Sequence, residues 1–153
     1  MIYIVSGKIE SGKSSFLYSW IENKSNISGI LCLKDSNYIR HIYDIKSKDI
    51  FRIQTNNIEE TTISIGRFHF LKSAFKKANT ILKRACTQQD TGFIIIDELG
   101  KLELENKGLH PSAQLIIEKT RNNENLHSIL VIRTTLFNSV LKHYDITDYK
   151  TLK

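Results

Sequence analysis

A short apolar run followed at once by a glycine-containing loop most constrains how this chain can fold. Residues 2–5 are apolar at consecutive positions, which is typical of a strand buried on both faces. The loop at residues 7–14 then matches the pattern GxxxxGK[ST] at every fixed position. Apolar residues at helical spacing follow it, namely Phe16, Leu17, Trp20 and Ile21.

This strand–loop–helix arrangement predicts a phosphate-binding loop, or P-loop. Glycine lets the backbone pass close to phosphate oxygens, successive amides form a nest for anions, and the following helix adds its positive end. Lys13 is expected to reach the β- and γ-phosphates, and the Ser14 hydroxyl is expected to bind Mg²⁺. The predicted nucleotide-binding residues are Gly7, Lys8, Ile9, Glu10, Ser11, Gly12, Lys13, Ser14 and Ser15.

A second apolar run, residues 93–96, ends in two adjacent acids, Asp97 and Glu98. If this run is a parallel strand, both acids lie at the edge of the sheet where open α/β sheets bind ligands. Asp97 is therefore predicted to hold Mg²⁺ together with Ser14. Glu98 is predicted to act as a general base that activates water.

The adjacency of Asp97 and Glu98 is typical of P-loop proteins in which a catalytic glutamate follows the magnesium-binding aspartate. In that branch another strand lies between the P-loop strand and the acidic strand, and residues 129–132 are the natural candidate. Arg133 would then lie near the γ-phosphate as a sensor, and joins Lys13 and Glu98 as a predicted catalytic residue. A solvated surface cation is the other interpretation of Arg133.

The order of apolar and polar segments predicts an α/β fold. Helices alternating with strands favour a P-loop three-layer sandwich around a mostly parallel central sheet. The chain has 153 residues, which suits one domain over residues 1–153. Short alternating runs separated by turns predict an inserted antiparallel β-meander at residues 28–64. Helical spacing also predicts helices at about residues 13–24, 68–85, 112–122 and 138–143.

Composition narrows the cellular setting. No apolar run approaches the roughly 20 residues of a membrane-spanning helix, so we expect no membrane association and a cytoplasmic location. The two cysteines form no CxxC pair, which favours a reducing compartment. The net charge of +6 is compatible with an RNA partner, with attraction of polyanionic nucleotides, or with solvated lysines on helix faces. Nothing in the sequence indicates the oligomeric state.

With these motifs located, the chain resembles the small P-loop nucleoside-triphosphatases often called cancer-related NTPases. Residues 97–104, DELGKLEL, are similar to that family's acidic motif, roughly DEIGKMEL, with two apolar exchanges. Residues 65–68, IGRF, resemble its glycine-basic-aromatic turn and are expected to open the long helix. Residues 28–30, SGI, match the glycine before its second strand, and the resemblance extends over about residues 1–145.

The resemblance implies Mg²⁺-dependent hydrolysis of nucleoside triphosphates to diphosphate and phosphate, with loose base preference. It implies functional roles for Lys13, Ser14, Asp97 and Glu98. It also makes Lys101 a candidate, although a loop lysine that packs or caps is an equally open interpretation.

The chain departs from the family pattern inside the loop, where the common Pro-Gly-Val is replaced by Ile9, Glu10 and Ser11. Glu10 places a carboxylate near the expected phosphates. It would weaken binding if it pointed inward, and would have little effect if it pointed outward.

Two other functions remain compatible with the same residues. A small-molecule kinase would use Glu98 as the base for a substrate hydroxyl, with Arg67 and the basic helix of residues 72–84 as a lid. A regulatory or adaptor module would bind nucleotide with little turnover.

Overall fold

Runs rich in isoleucine, leucine and valine form the central strands in the computed structural model, which describes residues 1–56 and 61–153. The described strands are β1 (Ile2–Gly7), β2 (Ile27–Lys34), β3 (Arg40–Asp44), β4 (Ile50–Arg52), β5 (Gln54–Thr55), β6 (Thr62–Ile65), β7 (Phe68–Leu71), β8 (Gly92–Leu99), β9 (Leu126–Arg133) and β10 (Lys150–Thr151). The described α-helices are α1 (Lys13–Ile21), α2 (Lys72–Gln88), α3 (Lys101–Leu104), α4 (His110–Arg121) and α5 (Phe137–His143).

Seven of the described strands form the main sheet, in the order β10-β1-β9-β8-β2-β3-β4. From β10 to β2 the neighbours pair in parallel, and β3 and β4 extend the sheet antiparallel. β9 lies between β1 and β8, which confirms the position predicted for residues 129–132. The carboxyl ends of β1, β9 and β8 therefore meet at one edge of the sheet, where ligands bind in such folds.

The middle of β8 shows how the sheet is covered on both faces. Ile94, Ile95 and Ile96 are all fully buried. Ile94 and Ile96 pack in the cluster that contains residues of α2 and α4, whereas Ile95 packs in the cluster that contains Leu17 of α1. Because successive strand residues point to opposite faces, a continuous apolar run is required here. Burying each such side chain stabilises the fold by about 1.5–3 kcal/mol.

The antiparallel strands predicted at residues 28–64 are present, and they are divided between two sheets. β2 belongs to the main sheet, because Ile30 and Leu31 are buried on opposite faces as in an interior strand. β3 and β4 continue that sheet, and the described strands β5, β7 and β6 form a separate three-stranded antiparallel sheet. Residues 57–60 of the predicted segment lie outside the described residues.

The long helix was predicted to begin at Phe68, and this is wrong. Phe68 lies in β7, and α2 begins at Lys72. Gly66 and Arg67 form the turn between β6 and β7, where Gly66 has φ +57, rather than the opening of a helix. Phe68 and Phe70 alternate with polar His69, so the period of two characteristic of a strand overrides the helical spacing.

The other predicted helices agree with α1, α4 and α5 to within a few residues. In the part of the chain that the structure describes, no helix combines the length and the apolar character needed to cross a bilayer.

Candidate functional site

The predicted phosphate-binding loop connects β1 to α1. The Lys13 ammonium donates hydrogen bonds to the carbonyl oxygens of Gly7 at 3.2 Å and Lys8 at 2.8 Å. Gly12 precedes the helix with φ +80, a conformation that favours glycine. A Cβ atom on Gly7 would lie 2.4 Å from the Ser11 hydroxyl oxygen, so a larger residue there would require the Ser11 side chain to rotate. The Lys13 side chain is thus hydrogen-bonded to the backbone of its own loop.

The loop forms one side of a cleft of about 1020 Å³. The predicted nucleotide-binding residues that line this cleft are Ile9, Glu10, Ser11, Gly12, Lys13, Ser14 and Ser15. Gly7 and Lys8 do not line the cleft. Their carbonyl oxygens instead accept hydrogen bonds from Lys13, which does line it. The volume lies at the upper end of the range for small-molecule sites.

Asp97, near the carboxyl end of β8, is brought into contact with the loop. One of its carboxylate oxygens accepts hydrogen bonds from the Ser14 hydroxyl at 2.5 Å and from the backbone N–H of Cys32 at 3.0 Å. The side chain is only 2% exposed, and this burial raises the pKa of Asp97 to about 7 against the opposing effect of both hydrogen bonds. A hydroxyl next to a carboxylate is a donor set that suits Mg²⁺, which prefers oxygen ligands.

Glu98 and Arg133 form an ion pair inside the same cleft. The Arg133 Nε atom lies 2.7 Å from Glu98 Oε1, and both side chains are about a third exposed or less. The contact follows from the sheet, because β9 runs directly beside β8. Arg133 is therefore an ion-paired residue of the cleft rather than a solvated surface cation.

Glu103, the third acid of the DELGKLEL segment, has a position that the sequence reasoning missed. It is 4% exposed, and its carboxylate accepts the backbone N–H groups of Gly100 at 2.7 Å and Leu109 at 2.8 Å. Burial raises its pKa, while the two backbone hydrogen bonds act in the opposite direction. Glu103 therefore fixes the loop that follows Glu98. Its place between two leucines was the one feature of the sequence that could have indicated its burial.

We expect Glu103→Gln to lower the free energy of unfolding by about 1–3 kcal/mol, because a buried N–H group would then lack an acceptor. The glutamine amide offers one oxygen, so its NH₂ group would face the remaining backbone donor. Chemical denaturation at neutral pH measures the change. Glu105→Gln is the matched control, since Glu105 is exposed and its carboxylate pairs with Lys107 at 3.3 Å. Equal stability of both variants would contradict this role of Glu103.

The Glu10 carboxylate lies at the rim of the cleft and pairs with a cation. Its side chain is 64% exposed and forms an ion pair with Lys34 at 2.7 Å, at the end of β2. The hydrogen bond from Lys34 is the main cause of a lowered pKa for Glu10. The backbone of Glu10 has φ +59, a region that favours glycine, at the position where the resembled family has glycine. The carboxylate is therefore neutralised at the rim of the cleft.

Among the predicted residues, the structure brings Lys13, Ser14, Asp97, Glu98 and Arg133 to one cleft. Lys101 also lines this cleft. The sequence did not single out Lys34, Arg40 or the Cys32 backbone N–H, because strand pairing rather than a local motif brings each of them to the site.

Comparisons with known proteins agree with this description. The family model described as NTPase matches residues 2–150 of the chain. Among solved structures, the crystal structure of THEP1 from the hyperthermophile Aquifex aeolicus has a TM-score of 0.78 and 18% sequence identity, with 100% of this chain and 89% of that chain covered. At this identity the likeness establishes a shared fold. No match was found among curated protein sequences.

Proposed function

We propose, from the premise that this chain belongs to the NTPase family of P-loop proteins, that it hydrolyses nucleoside triphosphates to diphosphate and phosphate with the help of Mg²⁺. The observation that carries the proposal is the contact between Ser14 and Asp97 directly beside Glu98. This contact joins a phosphate-binding loop, an oxygen donor set and a carboxylate base in one cleft. We propose the cytoplasm as the location of this activity.

Binding begins at the loop. In this proposal the Lys13 ammonium exchanges the carbonyl oxygens of Gly7 and Lys8 for the β- and γ-phosphate oxygens. The loop amides and the amino end of α1 add further hydrogen-bond donors for the phosphates. Ser14 and Asp97 would hold Mg²⁺, which when bound neutralises charge that develops on the phosphates.

Glu98 supplies the base in the hydrolytic step. The oxygen of a water molecule attacks the γ-phosphorus, the bond from that phosphorus to the bridging oxygen breaks, and the nucleoside diphosphate leaves. The Glu98 carboxylate orients the water and takes its proton. Arg133, whose Nε atom lies 2.7 Å from Glu98 Oε1, is proposed to act as a sensor of the γ-phosphate.

A phosphate-release assay tests the proposal. ATP, GTP, CTP and UTP are each supplied with and without Mg²⁺, in the absence of any acceptor. We expect steady phosphate release with Mg²⁺ and little discrimination among bases. Formation of nucleoside diphosphate only after a hydroxyl-bearing acceptor is added, with the phosphate transferred to that acceptor, would indicate a kinase instead. Tight nucleotide binding with no release in any condition would indicate an adaptor module and overturn the proposal.

A further inference from the structure

Three cationic side chains gather around Glu10 of the phosphate-binding loop. Lys34 ends β2, Arg40 begins β3, and Arg67 lies in the turn between β6 and β7, and all three line the cleft. The Arg40 and Arg67 guanidinium groups both lie over the ring of Phe68, at 4.6 and 5.1 Å from its centroid. Arg40 is held in addition by Gln54 at 3.0 Å. Two guanidinium groups are thus held on one ring.

The carboxylate that faces this group is Glu10 of the phosphate-binding loop. It pairs directly with Lys34, and its lowered pKa reflects Lys34 first and Arg40 and Arg67 to a smaller extent. Within residues 1–56 and 61–153, neither guanidinium group has a carboxylate within ion-pair distance. Of these three cations only Lys34 pairs with a carboxylate among the described residues, and the two unpaired guanidinium groups favour the binding of an anion.

We propose that Lys34, Arg40 and Arg67 form a binding site for a phosphate-type oxyanion, and that the Glu10 carboxylate occupies this site in the nucleotide-free protein. A guanidinium group that stacks on a ring keeps its N–H edge free to bind phosphate oxygens in a bidentate manner. Arg67 is exposed and has no hydrogen-bond acceptor among the described residues, so its donors are available to a ligand.

The oxyanion has two chemically equivalent sources. One is the γ-phosphate of the nucleotide itself, and the other is a separate phosphate-bearing molecule that lies beside the nucleotide. The inference rests on the proposed nucleotide-binding function of the neighbouring loop, but it does not depend on hydrolysis by Glu98.

Equilibrium binding to the full chain tests the site. Three ligands are titrated with Mg²⁺: a nucleoside diphosphate, a non-hydrolysable triphosphate analogue, and inorganic phosphate added to protein saturated with that analogue. Arg67→Ala removes one cation, Glu10→Gln removes the internal anion, and Lys76→Ala is the control because Lys76 is exposed on α2 and does not line the cleft. Melting temperatures verify that every variant is folded.

If the γ-phosphate is the ligand, Arg67→Ala should weaken binding of the triphosphate analogue about tenfold or more and leave diphosphate binding unchanged. If a separate molecule is the ligand, Arg67→Ala should weaken only the binding of inorganic phosphate. In either case Glu10→Gln should increase the affinity for the ligand that Arg67→Ala weakens, and Lys76→Ala should leave all three affinities unchanged. Unchanged affinity of all three ligands in Arg67→Ala would overturn the site. If the variants show these binding effects and the wild-type protein releases no phosphate, only the proposed hydrolysis is overturned.

Discussion

The Glu98→Gln variant is expected to bind nucleoside triphosphates as the wild type does and to release phosphate about 10²- to 10⁴-fold more slowly. Glutamine has nearly the same shape as glutamate, so the cleft and the loop should remain intact. Its amide cannot take a proton from water, however, so the step assigned to Glu98 loses its base. The ion pair with Arg133 at 2.7 Å would also become an uncharged hydrogen bond.

Two measurements separate these effects. Single-turnover phosphate release measures the rate of the chemical step. Equilibrium binding of a non-hydrolysable analogue measures whether the phosphate-binding loop still binds nucleotide. Glu105→Gln serves as a control of the same chemistry, because its exposed side chain pairs with Lys107 and does not line the cleft. Phosphate release from Glu98→Gln at the wild-type rate would remove Glu98 from the proposed mechanism. A parallel loss of binding would show instead that Glu98 acts by shaping the site.

The parts of the site that the sequence predicts are those encoded by local patterns. The loop at residues 7–14 has a fixed spacing because its backbone geometry demands glycine at set positions. Asp97 and Glu98 follow a run that is apolar on both faces, and such a run indicates an interior parallel strand and therefore its ligand-binding edge. The position of β9 followed from the adjacency of these two acids, and the sheet order confirms it.

The parts that the sequence did not predict depend on contacts between distant segments. The Cys32 backbone N–H reaches Asp97 only because β2 pairs in parallel with β8, and no local pattern records that register. Phe68 and Phe70 fit both a strand period and a helical stripe, and their pairing with β6 decides between the two. Glu10 has the backbone conformation of a glycine, and its contact with Lys34 could not be foreseen from either residue alone.

The pKa of Asp97 leads to the second large expected effect. Burial raises this pKa to about 7 in the metal-free protein, whereas an unfolded chain has a value of about 4. Since the folded state holds the proton more tightly, the contribution of Asp97 to wild-type stability should decrease as the pH rises from about 4 through 7, with the full loss present above that range. A tenfold change in proton affinity is worth about 1.4 kcal/mol, so the loss amounts to a few kcal/mol.

Asp97→Asn should remove this loss, because asparagine is uncharged at every pH and its oxygen can still accept from Ser14 and Cys32. With a chelator present, we expect the variant to be more stable than wild type at pH 8 and equally stable near pH 4. With Mg²⁺ and a triphosphate analogue, the wild type should gain stability and the variant should gain much less, because it lacks the metal-binding carboxylate.

Thermal unfolding from pH 4 to 9, with chelator or with Mg²⁺ and analogue, measures both effects. Asp49→Asn is the control, since Asp49 is exposed and lies outside the cleft. A metal-free Asp97→Asn protein that is less stable than wild type at pH 8 would show that the ionised carboxylate stabilises the fold. An equal gain from Mg²⁺ and analogue in both proteins would exclude Asp97 from metal binding. Asp97→Asn should thus raise stability when metal is absent and reduce the stability gained from Mg²⁺ and the analogue. This combination is expected of a carboxylate that is costly to bury until a cation compensates its charge.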